Sequence, residues 1–454
     1  MSPNELIDRA FDRLAAKPGF VERADQRQLA RLVSDCIESR ATGACEAPTG
    51  LGKSVAALVP AIAHAIVGGK RTVIATYTNV LAEQYWRSDM PLAVGLFDES
   101  VRTEFLIGRQ RYACLAAMSE MDPVALRDFH RSARLGIESE FRQMVSRQPR
   151  ELTKLWQAAS APPVCPARLC SHYGDCHYYR ARRSAERAHV VITNHSVVLQ
   201  DALLCDVTDG ELNLLGEYDF LVVDEAHDFA QAAQNALEFE LSQGKLGIVA
   251  GIVGRIESML MPIAANQAAW AELCAAYRRR IESWNRALAS FGGNMAPGGI
   301  LAASPPEVAG HPQVHGRLSS AGLASAKDLA DEVARETESF IEIVRKSLAG
   351  WAASGGPTEK IAEAGDAVGN YLLFLHEIGA GCEHLFSPQG VAVSYSGDTH
   401  AGKIFRHDVL GLAEPLRRML WQRTPYACLS ATLALDGNFE FFRRSTGVEP
   451  EFEE

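Results

Sequence analysis

The 454-residue chain lacks any run of about 18 uncharged apolar residues, the length a membrane-crossing helix needs. Its first residues do not read as a secretory leader either. Met1 to Ala16 carries Glu5, Asp8, Arg9, Asp12 and Arg13, the pattern expected of an amphipathic helix and not of a signal peptide. These absences predict a cytoplasmic chain with no membrane partner. Positive charge is also in short supply. Lys and Arg number 45 against 56 Asp and Glu, a net charge of −11. A nucleic-acid binder usually leaves a basic footprint, so any such surface here must be a local groove on an acidic protein. Internal repeats are missing. Ten cysteines without an oxidising context read as thiols, metal ligands or buried apolar residues.

What is present looks like an ordinary globular chain, 47% hydrophobic and 22% charged, long enough for several domains. Residues 1–45 read as helices broken at Lys17-Pro18-Gly19. The short β-branched run Thr72 to Thr76 predicts a buried strand, as do Phe105 to Ile107, Val190 to Thr193, Phe220 to Val223 and Tyr426 to Leu429. Strands alternating with helices predict an α/β fold with a parallel sheet and its site at the strand C-termini. From 231 to 400 the alternation stops. Leu273, Tyr277, Ile281, Trp284 and Leu288 recur at helical spacing, and Gly292 to Ser320 reads as a long Gly/Pro-rich loop. An inserted helical domain is expected there.

Three motifs carry chemistry. Glu46-Ala47-Pro48-Thr49-Gly50-Leu51-Gly52-Lys53-Ser54 is a glycine-bearing loop running into the apolar helix Val55 to Ile66. Such a loop turns backbone N–H groups of Thr49, Gly50 and Gly52 toward phosphate oxygens, and the helix N-terminus adds partial positive charge. Lys53 would reach the β- and γ-phosphates of ATP, and Ser54 would ligate Mg²⁺. The second motif, Asp224-Glu225-Ala226-His227, follows an apolar strand. Asp224 would hold Mg²⁺, and Glu225 would orient and polarise the attacking water. The third is Ser430-Ala431-Thr432, which carries little information alone; its hydroxyls could bond the His227 region and link nucleotide state to movement.

In that order, the motifs resemble the DinG/XPD-like group of superfamily 2 iron–sulfur DNA helicases. Ala47 to Ser54, Thr76-Tyr77-Thr78-Asn79 with Leu81 and Gln84, Asp224 to His227, and Ser430 to Leu433 match its first four motor signatures. Ala47, where a strict phosphate loop has Gly, is the superfamily 2 variant. The resemblance implies a RecA-like motor domain, with Gln26 reading the adenine and His227, Ser430 and Thr432 coupling the site to motion. It also implies 5′-to-3′ movement on single-stranded DNA and unwinding at duplex junctions. Thr76, Thr78 and Asn79 would touch the DNA backbone. Arg180, Arg182 and Arg183, interleaved with Tyr173, Tyr178 and Tyr179, would line the strand path. Thr193-Asn194-His195 also looks like the family, with no mechanism evident beyond shaping a loop.

Cys165, Cys170 and Cys176 are spaced C-x4-C-x5-C, with Cys114 upstream. Four thiolates can hold a 4Fe-4S cluster, or zinc with His172 or His177 assisting. Spacing does not separate the metals; the resemblance implies iron–sulfur. The expected organisation is motor domain 1 in three pieces, 1–110, 190–230 and 401–454. A cluster domain at 111–189 and a helical, arch-like domain at 231–400 are inserted. No Gln-x-x-Gly-Arg-x-x-Arg pattern follows Thr432. A second motor domain is therefore expected in the same gene product or in trans, and little unwinding from these residues alone. The rival reading is a non-catalytic DNA-binding or regulatory module recruited by a protein complex, as in CRISPR-associated relatives.

Overall fold

The computed structural model describes residues 1–21, 23–119, 121, 129, 131–144, 148–290, 295–296, 317–318, 320–354, 357–385, 391–399, 402–409, 411–435 and 437–453. Two compact units result. The first comprises Met1–Ala161, Gly174–Ala236 and Gly411–Glu454, and the second Pro162–Tyr173 and Leu237–Leu410.

The first unit is built on a RecA-like parallel sheet. Its strands are β1 (Gly43–Glu46), β2 (Thr72–Thr76), β3 (Thr103–Phe105), β4 (Val190–Asn194), β5 (Phe220–Asp224), β11 (Tyr426–Ser430) and β12 (Phe452–Glu453). Among the described residues their order is β12-β1-β11-β5-β2-β4-β3, and every pairing is parallel. Strands β2, β4, β5 and β11 are buried throughout. Burial on both faces explains why these runs are continuously apolar and not alternating. The register sets Glu46 beside Ser430 and Leu429 beside Asp224. The C-terminal ends of the central strands therefore share one edge, where β1 and its neighbour β11 come from opposite ends of the chain. The helix Lys53–Gly68 is buried almost all round, as its composition requires.

Two features of this unit escaped sequence reading. Phe452–Glu453, in what reads as an acidic tail, adds an edge strand beside Gly43 and Ala44. Residues 113–159 also hold a small core of their own, in which Phe129, Phe141 and Trp156 pack edge to face or tilted.

The second unit packs the helices Gln243–Leu260, Gln267–Ser290, Ser320–Ala353 and Thr358–His384 around one core. Tyr277 stacks on Phe340 at 4.3 Å and donates to Thr337 Oγ1 at 2.8 Å. Trp270, Trp284 and Trp351 are packing residues of this core. The unit is not wholly helical. Strands β6 (Phe239–Ser242), β9 (Val391–Thr399) and β10 (Gly402–Val409) form an antiparallel sheet, and β7 (Met295–Ala296) pairs with β8 (Arg317–Leu318). The rest of the expected loop 292–320 lies outside the described residues, Ser320 apart. The helical stretch Gln243–Ile263 is long and apolar enough to cross a membrane. Yet it carries Lys245, Arg255 and Glu257, and it buries Leu246, Val249, Val253 and Ile256 in the core.

Candidate active site

The loop after β1 closes at the shared strand edge. Ala47 N donates to Ser430 O at 2.7 Å, tying the loop to β11. Gly50 and Gly52 both have positive φ, +79° and +89°, a conformation that β-carbons resist. Gly52 leads into the helix at Lys53, so its N-terminal N–H groups open onto the loop. Lys53 is buried, its Nζ donating to Ala47 O at 3.3 Å and lying 3.6 Å from Glu225 Oε1. Glu225 itself has φ +53°, a left-handed position costing an L-residue about 1–2 kcal/mol. That turn sends its carboxylate toward Lys53 on one side and, at 3.5 Å, His227 Nδ1 on the other.

Asp224 ends β5 and is buried. Burial pushes its carboxyl up to about 6, which the hydrogen bond from Tyr85 and the charge of Lys53 partly offset. Tyr85 Oη donates to Oδ2 at 2.8 Å, while Oδ1 is buried with no hydrogen-bond partner among the described residues. An unpaired buried carboxylate oxygen beside a phosphate loop suits a divalent cation, and Ser54 at the head of the helix is a second oxygen ligand of the right type. The residues present fit Mg²⁺ with a nucleotide.

His227 and Ser430 meet side chain to side chain, and Thr432 joins them through its backbone N–H. His227 Nδ1 is 2.6 Å from Ser430 Oγ, which also accepts from Thr432 N at 3.4 Å. Glu46, from the neighbouring strand, accepts the N–H groups of Leu433 and Ala434, which hold its carboxyl below the usual range. The Thr193-Asn194-His195 step acquires a physical account. Thr193 Oγ1 donates to Leu106 O at 2.6 Å. Asn194 caps the next helix by accepting Val197 N at 2.9 Å and donates to Asn79 Oδ1 at 2.6 Å. His195 Nε2 meets Asp224 O at 2.8 Å, and burial lowers its pKa to about 4, so the ring is neutral. Gln26 lies against the loop, with Nε2 donating to Gly52 O at 3.0 Å.

Several expected contacts are placed otherwise. Thr76 is 1% exposed, so its hydroxyl is not offered to a strand outside. Thr78 caps the helix starting at Asn79 through Leu81 N, and Asn79 is paired to Asn194. Tyr178 and Tyr179 are buried and pack against each other at 5.1 Å, so they present no open stacking face. Arg180 donates to Arg134 O, Arg182 to Asn213 O and Arg183 to Gly174 O. These arginines hold the protein's own carbonyls.

Cys114 and Cys176 belong to the sheet unit, Cys165 and Cys170 to the helical one, where the turn Ala167–Leu169 packs on the helix Thr358–His384. All four are partly exposed. Among the described residues no three His, Cys, Asp or Glu side chains converge as a metal site. Sequence reasoning missed Tyr85, which lies outside both motifs, and gave no role to Glu46, which lies inside the loop motif.

Parts of this chain are similar to known proteins. The DEAD_2 family matches residues 137–246, a stretch that contains Asn194, His195 and Asp224 to His227. The ATP-dependent DNA helicase YoaA of Escherichia coli is 29% identical over 245 residues, 51% of this chain and 37% of its own length. The ATP-dependent helicase DinG of Mycobacterium tuberculosis is 29% identical over 282 residues, 56% of this chain and 41% of its own. The DinG helicase of Salmonella choleraesuis is 31% identical over 246 residues, 49% and 34% respectively. The chain thus spans less than half the length of these relatives. A solved XPD helicase aligns with 95% of this chain and 62% of its own at 15% identity, with a TM-score of 0.44, a likeness too loose to add to the sequence matches.

Proposed function

We propose that this chain, a relative of the DinG/XPD-like superfamily 2 helicases, is the nucleotide-binding motor part of an ATP-dependent DNA helicase. The observation that carries the proposal is the convergence of Lys53, Asp224 and Glu225 at the C-terminal edge of a parallel sheet, around a loop with two left-handed glycines.

The loop N–H groups and Lys53 bind the β- and γ-phosphates, and Gln26 contacts the base. Ser54 and Asp224 hold Mg²⁺, which when bound neutralises charge on the β- and γ-oxygens. Glu225 orients water for attack on the γ-phosphorus and takes its proton as the bond to the bridging oxygen breaks and ADP leaves. The His227–Ser430 contact carries the change toward β11. DNA is proposed as the track because the matched relatives are DNA helicases by name. Single-stranded DNA, 5′-to-3′ movement and unwinding at duplex junctions are proposed for this sheet working with a second motor domain, in the same polypeptide or a partner. Of the expected DNA contacts, Thr78, Asn79, Arg180, Arg182 and Arg183 remain proposals.

ATP hydrolysis with and without single-stranded DNA, in the full-length gene product, tests the reading. DNA should stimulate it, and Lys53→Ala should remove about a hundredfold or more. Hydrolysis indifferent to both DNA and Lys53→Ala would sink it. A 4Fe-4S cluster on Cys114, Cys165, Cys170 and Cys176 is proposed from the resemblance. Iron and zinc content with the visible absorbance of purified protein decides that point; zinc alone, or neither metal, would defeat the cluster.

A further inference from the structure

The helix that begins at Asn79 does not stay α-helical. After Gln84 it widens into a π-turn over Tyr85–Asp89, closed by Met90 N–H donating to Tyr85 O five residues back. Single π-turns concentrate at functional sites, where the wider turn re-aims side chains that an α-helix would point elsewhere. Here Tyr85 is aimed at the candidate site. Its Oη donates to Asp224 Oδ2 at 2.8 Å from a phenol that is 4% exposed. The partner is the carboxylate best suited to the metal.

The other face of the same segment is anchored. Ser139 Oγ donates to Glu83 Oε2 at 2.7 Å, and Arg87 lies 3.8 Å from Glu140 Oε1, a buried carboxylate that also accepts Gly136 N. The turn is therefore held from both sides and is not a frayed helix end.

A carboxylate can turn about its last bond. With one oxygen bonded to Tyr85, turning the group out of its present plane breaks a buried hydrogen bond to a charged acceptor. Oδ1 is left unpaired and buried. We propose that Tyr85 is a positioning residue for a divalent cation: its hydroxyl holds the Asp224 carboxylate with Oδ1 toward the metal. This rests on the nucleotide-site reading above. It adds a control on metal affinity that lies outside the phosphate loop and the acidic motif.

The test uses Tyr85→Phe in the full chain. Binding of ADP is titrated in EDTA and across a Mg²⁺ series, with thermal melting beside it. Removing an outer partner of a metal ligand typically costs about 10–100-fold in metal affinity. The half-saturating Mg²⁺ concentration should rise about tenfold or more, with ADP affinity in EDTA unchanged. A Mg²⁺ requirement equal to wild type overturns the proposal. So does equal weakening of ADP binding with and without Mg²⁺, the mark of a merely structural role. Should Tyr85→Phe fail to fold, Tyr85→Leu, which also lacks the hydroxyl, reads the same quantity. If wild type shows no Mg²⁺-dependent nucleotide binding, the nucleotide-site reading itself fails.

Discussion

Replacing Gly52 with alanine tests whether the loop's backbone conformation makes the site. A Cβ built at Gly52 lies 2.1 Å from Gln26 Nε2, and φ there is +89°. Two costs follow. The left-handed position costs an L-residue about 1–2 kcal/mol. The new methyl also drives the Gln26 amide off Gly52 O, which it meets at 3.0 Å. Losing that bond costs about 1 kcal/mol. Together the substitution should lower the unfolding free energy by about 2–3 kcal/mol. The two parts separate because the amide is the far end of a flexible side chain. In a Gln26→Ala background only the backbone cost remains, so a double-mutant cycle should give a coupling of about 1 kcal/mol. Urea unfolding of the wild type, both single variants and the double variant measures it. A cost for Gly52→Ala that is the same with and without Gln26 refutes the contact; no cost at all refutes the left-handed loop.

Two further outcomes are expected. Burial holds the Asp224 carboxyl at about 6 against an ordinary 3.8. A raised acid pKa means the folded state binds the proton more tightly than the unfolded one. Stability is then full below pH 4 and lost as pH rises through 6. At 1.36 kcal/mol per pH unit that loss is about 3 kcal/mol. In metal-free protein Asp224→Asn should therefore stabilise at pH 7 by up to about 3 kcal/mol and flatten the melting profile between pH 4 and 6, while abolishing hydrolysis. A variant that melts below wild type at pH 7 contradicts this. Gly447, at φ +74°, closes the helix Glu440–Thr446, and a Cβ there lies 2.3 Å from Ala413 O and 2.8 Å from Ala413 Cα. Backbone atoms cannot swing aside, so Gly447→Ala should cost clearly more than Gly437→Ala. At Gly437, φ is +80° but the space is open, and only the left-handed cost of about 1–2 kcal/mol applies. Equal melting temperatures for the two variants would remove the steric reasoning.

Much of the candidate site was legible in the chain because its parts are local. A glycine loop ahead of an apolar helix, and acidic residues at the end of an apolar strand, announce themselves by neighbours in sequence. Lys53, Asp224, Glu225, His227 and Ser430 fall where those motifs imply. Tyr85 was not legible. No motif role was read for it, and only the π-turn decides that it faces Asp224. The tyrosines beside the cysteines misled for the opposite reason. An aromatic among arginines looks like a stacking platform until burial is known, and Tyr178 and Tyr179 are buried.

By itself the sequence determined the strand-and-helix alternation, the buried character of the parallel strands and the chemical types gathered at their ends. All of these follow from periodicity and residue type along the chain. The order of strands was decided only in three dimensions, since β1 pairs with β11 and β12 from the far end of the polypeptide. So were the contacts across 203 residues between His227 and Ser430 and across 139 between Tyr85 and Asp224. Such contacts depend on which strands neighbour each other and how a helix is wound, and residue spacing alone encodes neither.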